Sequence, residues 1–110
     1  MSKEPPQHRT DELRSFGRRR GRKLSPLQSN LMAEVLPRVC LDLKQPPPAS
    51  LRTLFDPTVT DIWLEIGFGG GEHLLWQAEQ NRNVGLIGCE PFEDGVVKVL
   101  RGIEQNALSN

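Results

Sequence analysis

Two short apolar runs stand out in the second half of the chain. Residues 61–66 carry apolar side chains in nearly unbroken succession, at Ile62, Trp63, Leu64 and Ile66. Such a run predicts a strand that is covered on both faces. Residues 84–89 form the second run, Val-Gly-Leu-Ile-Gly-Cys. We expect it to be a buried strand in which Cys89 is a small core residue.

A helical stripe of apolar residues follows each run. The first stripe consists of Leu74, Leu75 and Ala78, and asparagines at positions 81 and 83 mark its end. The second lies between Phe92 and about Leu108 and consists of Val96, Val97, Leu100 and Ile103. The order strand, helix, strand, helix predicts an α/β unit over residues 61–110.

The segment before this unit is less regular. Ser25-Pro26 has the form of a helix cap followed by proline at the first helical position, and an apolar stripe runs to Pro37, where we expect the short helix to stop. Residues 41–60 contain Pro46-Pro47-Pro48 and predict a connector. We therefore divide the chain into a disordered, basic arm (1–23), a helix with a proline-rich connector (24–60), and the α/β unit (61–110).

The net charge of zero hides a strong asymmetry. Residues 1–23 hold eight basic and three acidic residues, whereas the remainder holds six basic and eleven acidic ones. Residues 14–23 alone contain six basic residues and no acid. This pattern favours nucleic-acid phosphates as a partner, and an anionic membrane or a solvated tail are the alternatives. The expected nucleic-acid-binding residues are Arg18, Arg19, Arg20, Arg22 and Lys23.

A glycine-rich turn follows the first predicted strand. Gly67, Gly69 and Gly71 let the backbone turn tightly and approach a ligand, and a helix beginning near Glu72 adds free N–H groups. Glu90 follows the second strand directly. A carboxylate at that position holds ribose hydroxyls in βαβ nucleoside sites. We predict half of a nucleoside-cofactor pocket.

The glycine spacing decides between cofactors. The dinucleotide pattern G-x-G-x-x-G fails, because its sixth position is Glu72 or Leu74. The observed pattern is E-x-G-x-G-x-G, which begins at Glu65. A carboxylate beside the turn suits S-adenosyl-L-methionine, which carries an ammonium and a sulfonium but no pyrophosphate. A turn without ligand, or one that binds NAD or FAD, stays open as an alternative.

Little else in the sequence indicates chemistry. Neither His8 nor His73 has a cluster of metal ligands around it, so we expect no metal, and His73 is expected to face solvent. Cys40 and Cys89 lie in no motif. No apolar run approaches the length of a membrane span. We expect a reduced, cytoplasmic protein without a membrane partner.

Three segments together resemble the bacterial tRNA (guanine-N7-)-methyltransferases. They are Arg14–Pro26, Trp63–Leu74 and Ile87–Phe92. They occur in the family's order, and the resemblance spans most of residues 14–104. The version Gly-Phe-Gly-Gly-Gly-Glu-His of the glycine turn is much more specific than a generic methyltransferase motif. The resemblance implies a Rossmann-like, S-adenosyl-L-methionine-dependent enzyme that methylates N7 of guanine in the variable loop of tRNA.

The resemblance also implies roles for residues. Glu65 and Glu90 would bind the cofactor, with Glu90 on the ribose, and Gly67 and its neighbours would form the loop that faces it. The basic arm would hold tRNA phosphates. The family's Pro-Asp-Pro-Trp loop and fourth-strand aspartate are not present. We therefore expect the N-terminal half of the fold, no catalytic residue in this chain, inactivity alone and marginal stability.

Two other functions remain open at this stage. The chain could be a non-catalytic tRNA-binding fragment that uses only its basic arm. It could also be a fragment of an NAD-dependent oxidoreductase, although the glycine spacing disfavours that interpretation.

Overall fold

A computed structural model describes residues 23–110, and the order of its elements is helix, helix, 3₁₀ turn, strand, helix, strand, helix. The bounds are α1 Pro26–Glu34, α2 Leu36–Val39, a 3₁₀ turn Leu51–Leu54, β1 Asp61–Ile66, α3 Glu72–Gln80, β2 Val84–Cys89 and α4 Glu93–Gln105. The predicted α/β class is confirmed for residues 61–110, and both strands have the predicted bounds. No helix in this part of the chain combines the length and hydropathy needed to cross a membrane.

The two strands pair in parallel, and α3 connects them. Their register runs from Asp61 opposite Val84 to Ile66 opposite Cys89. The ladder continues beyond the strands, because the Gly67 N–H donates to the Cys89 carbonyl at 2.7 Å. Both strands therefore reach the same edge of the sheet at the same level. This alignment positions the residues that follow each strand.

The core lies between the helices and β2. Leu74 and Ala78 of α3 are buried, as are Val97 and Leu100 of α4, and Leu100 is 2% exposed. The glycine at position 85 of β2 gives space to an aromatic ring of the connector, since a Cβ there would lie 2.9 Å from the Phe55 ring. The predicted inner faces of α3 and α4 are thus confirmed at these four residues, whereas the predicted Leu75, Val96 and Ile103 are half-buried.

Two expectations about the strands are wrong. Leu64 is 60% exposed and Ile66 is 77% exposed, so β1 is not covered on both faces in the described part of the chain. Cys89 is likewise exposed rather than a core residue. The reason is that α3 covers the other face of the sheet. A Cβ on Gly88 would lie 2.7 Å from Leu74 of α3, whereas Leu64, Ile66 and Cys89 lie on the opposite face.

The N-terminal helix begins as predicted but ends differently. Ser25 and Gln28 form a reciprocal capping box, in which the Gln28 N–H donates to the Ser25 hydroxyl at 3.2 Å. The helix ends at Glu34, and Pro37 lies inside the short helix α2 instead of stopping the first one. Proline is tolerated there because the first turn needs no N–H donor.

Candidate cofactor site

The candidate site is the edge of the sheet where β1 and β2 end. The glycine turn, residues 67–71, leaves β1 there, and Glu90 follows the last residue of β2. Because Ile66 and Cys89 are partners in the parallel ladder, the turn and the carboxylate start side by side. The structure thus brings together the glycine turn and the carboxylate, which the sequence predicted to share one pocket.

All three alternate glycines have positive φ angles. The values are +75° for Gly67, +60° for Gly69 and +79° for Gly71, a region that residues with a Cβ rarely adopt. A Cβ on Gly67 or Gly69 would meet no atom within 4 Å, so these positions face open space. A Cβ on Gly71 would lie 2.1 Å from a methyl group of Val99. The turn therefore has one open side, which a ligand can approach, and one side closed by α4.

Glu90 is fixed by backbone N–H groups. The Gly69 N–H donates to Oε2 at 2.9 Å, and the Phe92 N–H donates to Oε1 at 3.2 Å. An ionised carboxylate accepts about four hydrogen bonds, so each oxygen keeps capacity for one more donor. The side chain is therefore oriented before any ligand arrives, and it can still accept from two adjacent hydroxyl groups.

The start of α3 supplies further donors at this edge. Gly71 is its N-cap residue, and the Leu75 N–H donates to the Gly71 carbonyl at 2.9 Å as the first bond of the helix. The amides of the first turn have no carbonyl partner inside the helix. They point toward the end of the helix that adjoins the glycine turn, where the helix dipole favours negative charge.

Glu65 lies one residue before the end of β1, opposite Gly88 of β2. It is partly exposed, and its carboxylate has no hydrogen-bond partner among residues 23–110. A free carboxylate two residues before the first glycine is suited to a cationic group of a ligand. Glu65 thus lies near the edge of the sheet at which the glycine turn begins, as expected from its place two residues before Gly67.

The predicted RNA-binding residues lie almost entirely outside the described part of the chain. Arg18, Arg19, Arg20 and Arg22 belong to residues 1–22, and only Lys23 is described, with an exposed side chain. The basic arm stays a prediction from the sequence.

His73 faces solvent, as predicted, and takes no part in the glycine turn. Its ring stacks on Trp76 with a centroid separation of 6.2 Å, and one ring nitrogen lies 3.2 Å from the side-chain nitrogen of Gln77. Among residues 23–110 there is no group of three or more histidine, cysteine or acidic side chains that could hold a metal ion.

One residue that shapes this site was not predicted from the sequence. Gly95 lies in the first turn of α4, and a Cβ there would lie 1.9 Å from the carbonyl oxygen of Gly69. Glycine inside a helix costs about 1 kcal/mol relative to alanine, so its presence indicates a close approach. The sequence shows a glycine inside a predicted helix, but it does not show that this glycine approaches Gly69.

Comparison with known proteins shows what the chain is similar to. A family model described as "Putative methyltransferase" matches residues 60–110. A tRNA (guanine-N(7)-)-methyltransferase of Rhodopseudomonas palustris (strain BisA53) is 52% identical over 95 residues, which are 86% of this chain and 38% of that protein. The protein of the same name from Chelativorans sp. (strain BNC1) is 44% identical over 110 residues, which are 100% of this chain and 47% of that protein.

A third relative with this name, from Hyphomonas neptunium, is 51% identical over 98 residues, 89% of this chain and 44% of that protein. The chain thus spans less than half the length of these three relatives. No solved structure gives a significant match. By the identities and the family model together, the chain is similar to part of the bacterial tRNA (guanine-N7-)-methyltransferases.

Proposed function

We propose that this chain forms the S-adenosyl-L-methionine half-site of a Rossmann-like methyltransferase that acts on N7 of guanine in tRNA. In this proposal residues 61–110 are the first part of the Rossmann-like domain. Residues 24–60 lead into it, and residues 1–23 are an RNA-binding arm. The observation that carries the proposal is the open side of the glycine turn beside an oriented carboxylate, in a chain whose relatives bear this enzyme's name.

The residues at the sheet edge fit such a cofactor. Gly67 and Gly69 leave open space at the turn, where a nucleoside can approach the backbone, and Gly71 lets the turn enter α3. Glu90 offers acceptors for the two ribose hydroxyls, and Glu65 offers a carboxylate for the ammonium group. When bound, the cofactor supplies an electrophilic methyl group on a sulfonium.

Methyl transfer to N7 of guanine requires the protein mainly to position the two reactants. N7 of guanine carries an exposed lone pair, so no general base is needed to create the nucleophile. Rate acceleration then comes mainly from holding N7 in line with the methyl group. This is consistent with a half-site that contains acceptors and backbone donors but no predicted catalytic residue.

Calorimetric titration tests the cofactor assignment. We expect saturable binding of S-adenosyl-L-methionine and no binding of NAD. Glu90→Ala should weaken binding by about 10- to 100-fold, since hydrogen bonds to a charged group contribute about 1.5–3 kcal/mol. Glu79→Ala, which removes a carboxylate from α3, is the matched control and should leave affinity unchanged. Saturable NAD binding without a response to S-adenosyl-L-methionine would favour the oxidoreductase alternative instead.

The salt dependence of tRNA binding tests the arm. Replacing Arg18, Arg19 and Arg20 by alanine should lower the slope of log K against log salt by up to about 2–3, because each phosphate contact contributes about 0.7–0.9. A control with the same loss of charge is the triple alanine variant of Lys44, Lys98 and Arg101, which are exposed outside the arm. An equal change of slope in both triple variants would mean that the arm acts only as a solvated tail.

A further inference from the structure

The Gly69 peptide is held from two sides by the segment that follows β2. Its N–H donates to Oε2 of Glu90 at 2.9 Å. Its carbonyl oxygen lies against Gly95, where the position of a Cβ would be only 1.9 Å from that oxygen. One Cα hydrogen of Gly95 therefore points at the carbonyl, which is the arrangement of a weak C–H···O hydrogen bond.

The two contacts belong to one stiff piece of backbone. The Phe92 N–H donates to Glu90 at 3.2 Å, and the Phe92 carbonyl accepts from the Gly95 N–H at 3.1 Å. The contact between Gly95 and Gly69 joins backbone to backbone, so no rotation of a side chain can relieve it. A residue larger than glycine at position 95 must displace either the start of α4 or the glycine turn.

The displacement would be felt on the open side of the turn. Gly67 and Gly69 face the space that the ligand is proposed to fill, and Gly69 is the residue whose carbonyl Gly95 touches. α4 also closes the other side, where Val99 lies against Gly71. The first two turns of α4 thus set where the glycine turn stands relative to Glu90.

We infer that Gly95 is a positioning residue for the cofactor site. Because Gly95 has no side chain, the start of α4 can lie against the Gly69 carbonyl and hold the Gly69 peptide between α4 and the Glu90 carboxylate. The expected effect of Gly95 on the affinity for S-adenosyl-L-methionine rests on the proposed function. The two contacts that hold the Gly69 peptide, with Glu90 and with Gly95, are present in the chain without ligand.

Gly102 in the same helix provides a matched control. A Cβ there would also be too close to its neighbour, at 2.5 Å from a methyl group of Leu75. That neighbour is the end of a flexible side chain on α3, and not backbone of the glycine turn. Gly95→Ala and Gly102→Ala therefore add the same methyl group to α4 at a crowded position, but only the first one presses on Gly69.

The experiment uses the ¹⁵N-labelled chain and two readouts. Without ligand, Gly95→Ala should shift the Gly69 amide resonance upfield as its bond to Glu90 lengthens, whereas Gly102→Ala should leave this resonance unchanged. On titration with S-adenosyl-L-methionine, Gly95→Ala should bind about ten-fold more weakly than the wild type, and Gly102→Ala within about two-fold of it. An unmoved Gly69 amide in Gly95→Ala, or equal affinities of the two variants, would overturn the inference.

The two readouts separate this inference from the proposed function. One outcome is that the wild-type chain does not bind S-adenosyl-L-methionine but the Gly69 amide responds only to Gly95→Ala. In that case Gly95 positions Gly69 as inferred, and the cofactor assignment fails. If Gly95→Ala does not fold, the spectrum of the wild-type chain still tests the contact between Gly95 and the Gly69 carbonyl. The two Cα protons of Gly95 should then resonate well apart, with the one that faces the carbonyl downfield, and coincident resonances would refute the contact.

Discussion

Alanine at position 71 should be much more damaging than alanine at position 67, although both glycines have nearly the same φ angle. At Gly67, with φ of +75° and open space around it, the cost is that of a left-handed backbone, about 1–2 kcal/mol. At Gly71, with φ of +79°, the new Cβ would also lie 2.1 Å from Val99. Overpacking of this kind costs about a further 1–3 kcal/mol.

The added cost at position 71 should persist because Val99 cannot move aside. It is 9% exposed, and a β-branched side chain in a helix has essentially one favourable χ1 rotamer. Val99→Ala should remove the clash, so the double variant should recover about 1–3 kcal/mol relative to the sum of the single changes.

Urea unfolding measures these free energies, with the fluorescence of Trp63 and Trp76 as the signal. We expect Gly71→Ala to unfold at a clearly lower urea concentration than Gly67→Ala, and the difference to shrink when Val99 is alanine. Equal destabilisation by the two glycine substitutions, or additive effects of Gly71→Ala and Val99→Ala, would refute the packing that we describe between α4 and the glycine turn.

Substitutions at three further positions test the packing of the fold by the same unfolding assay. Asn110→Asp should destabilise more than Asn110→Ala, because the Asn110 amide donates to three carbonyl oxygens at 2.9–3.0 Å and a carboxylate would repel them; the reverse order would contradict this arrangement. Ser25→Ala should cost about 1 kcal/mol through loss of the capping box, and no loss would mean that the cap is not formed. Arg38→Ala should cost at most about 1 kcal/mol and less in high salt, since its ion pair with Glu104 is exposed; a large loss that does not depend on salt would be unexpected.

The local features of the fold were predictable from the sequence because they depend on neighbouring residues. Apolar periodicity located β1, β2 and the inner faces of α3 and α4. Glycines at alternate positions predicted the turn, and the positive φ angles explain why glycine is needed there. Glu90 was predictable because a residue that follows a parallel strand must lie at the edge where its neighbour also ends.

The features that were missed depend on which elements touch. An apolar run shows that a strand has an apolar face, but not whether a helix lies over it, and so the exposure of Leu64, Ile66 and Cys89 was not foreseen. Gly95 was visible as a glycine within a helix. Its partner, Gly69, could be found only from the packing of α4 on the turn.

Residue-resolved titration of the labelled wild-type chain with S-adenosyl-L-methionine is the most direct measurement of the proposed half-site. We predict saturable shifts of backbone resonances at Glu65, along the glycine turn and from Glu90 to Phe92, with little change in α1 and α2. The absence of saturable shifts at the sheet edge, or the same shifts on addition of NAD, would contradict the assignment of this edge as an S-adenosyl-L-methionine site.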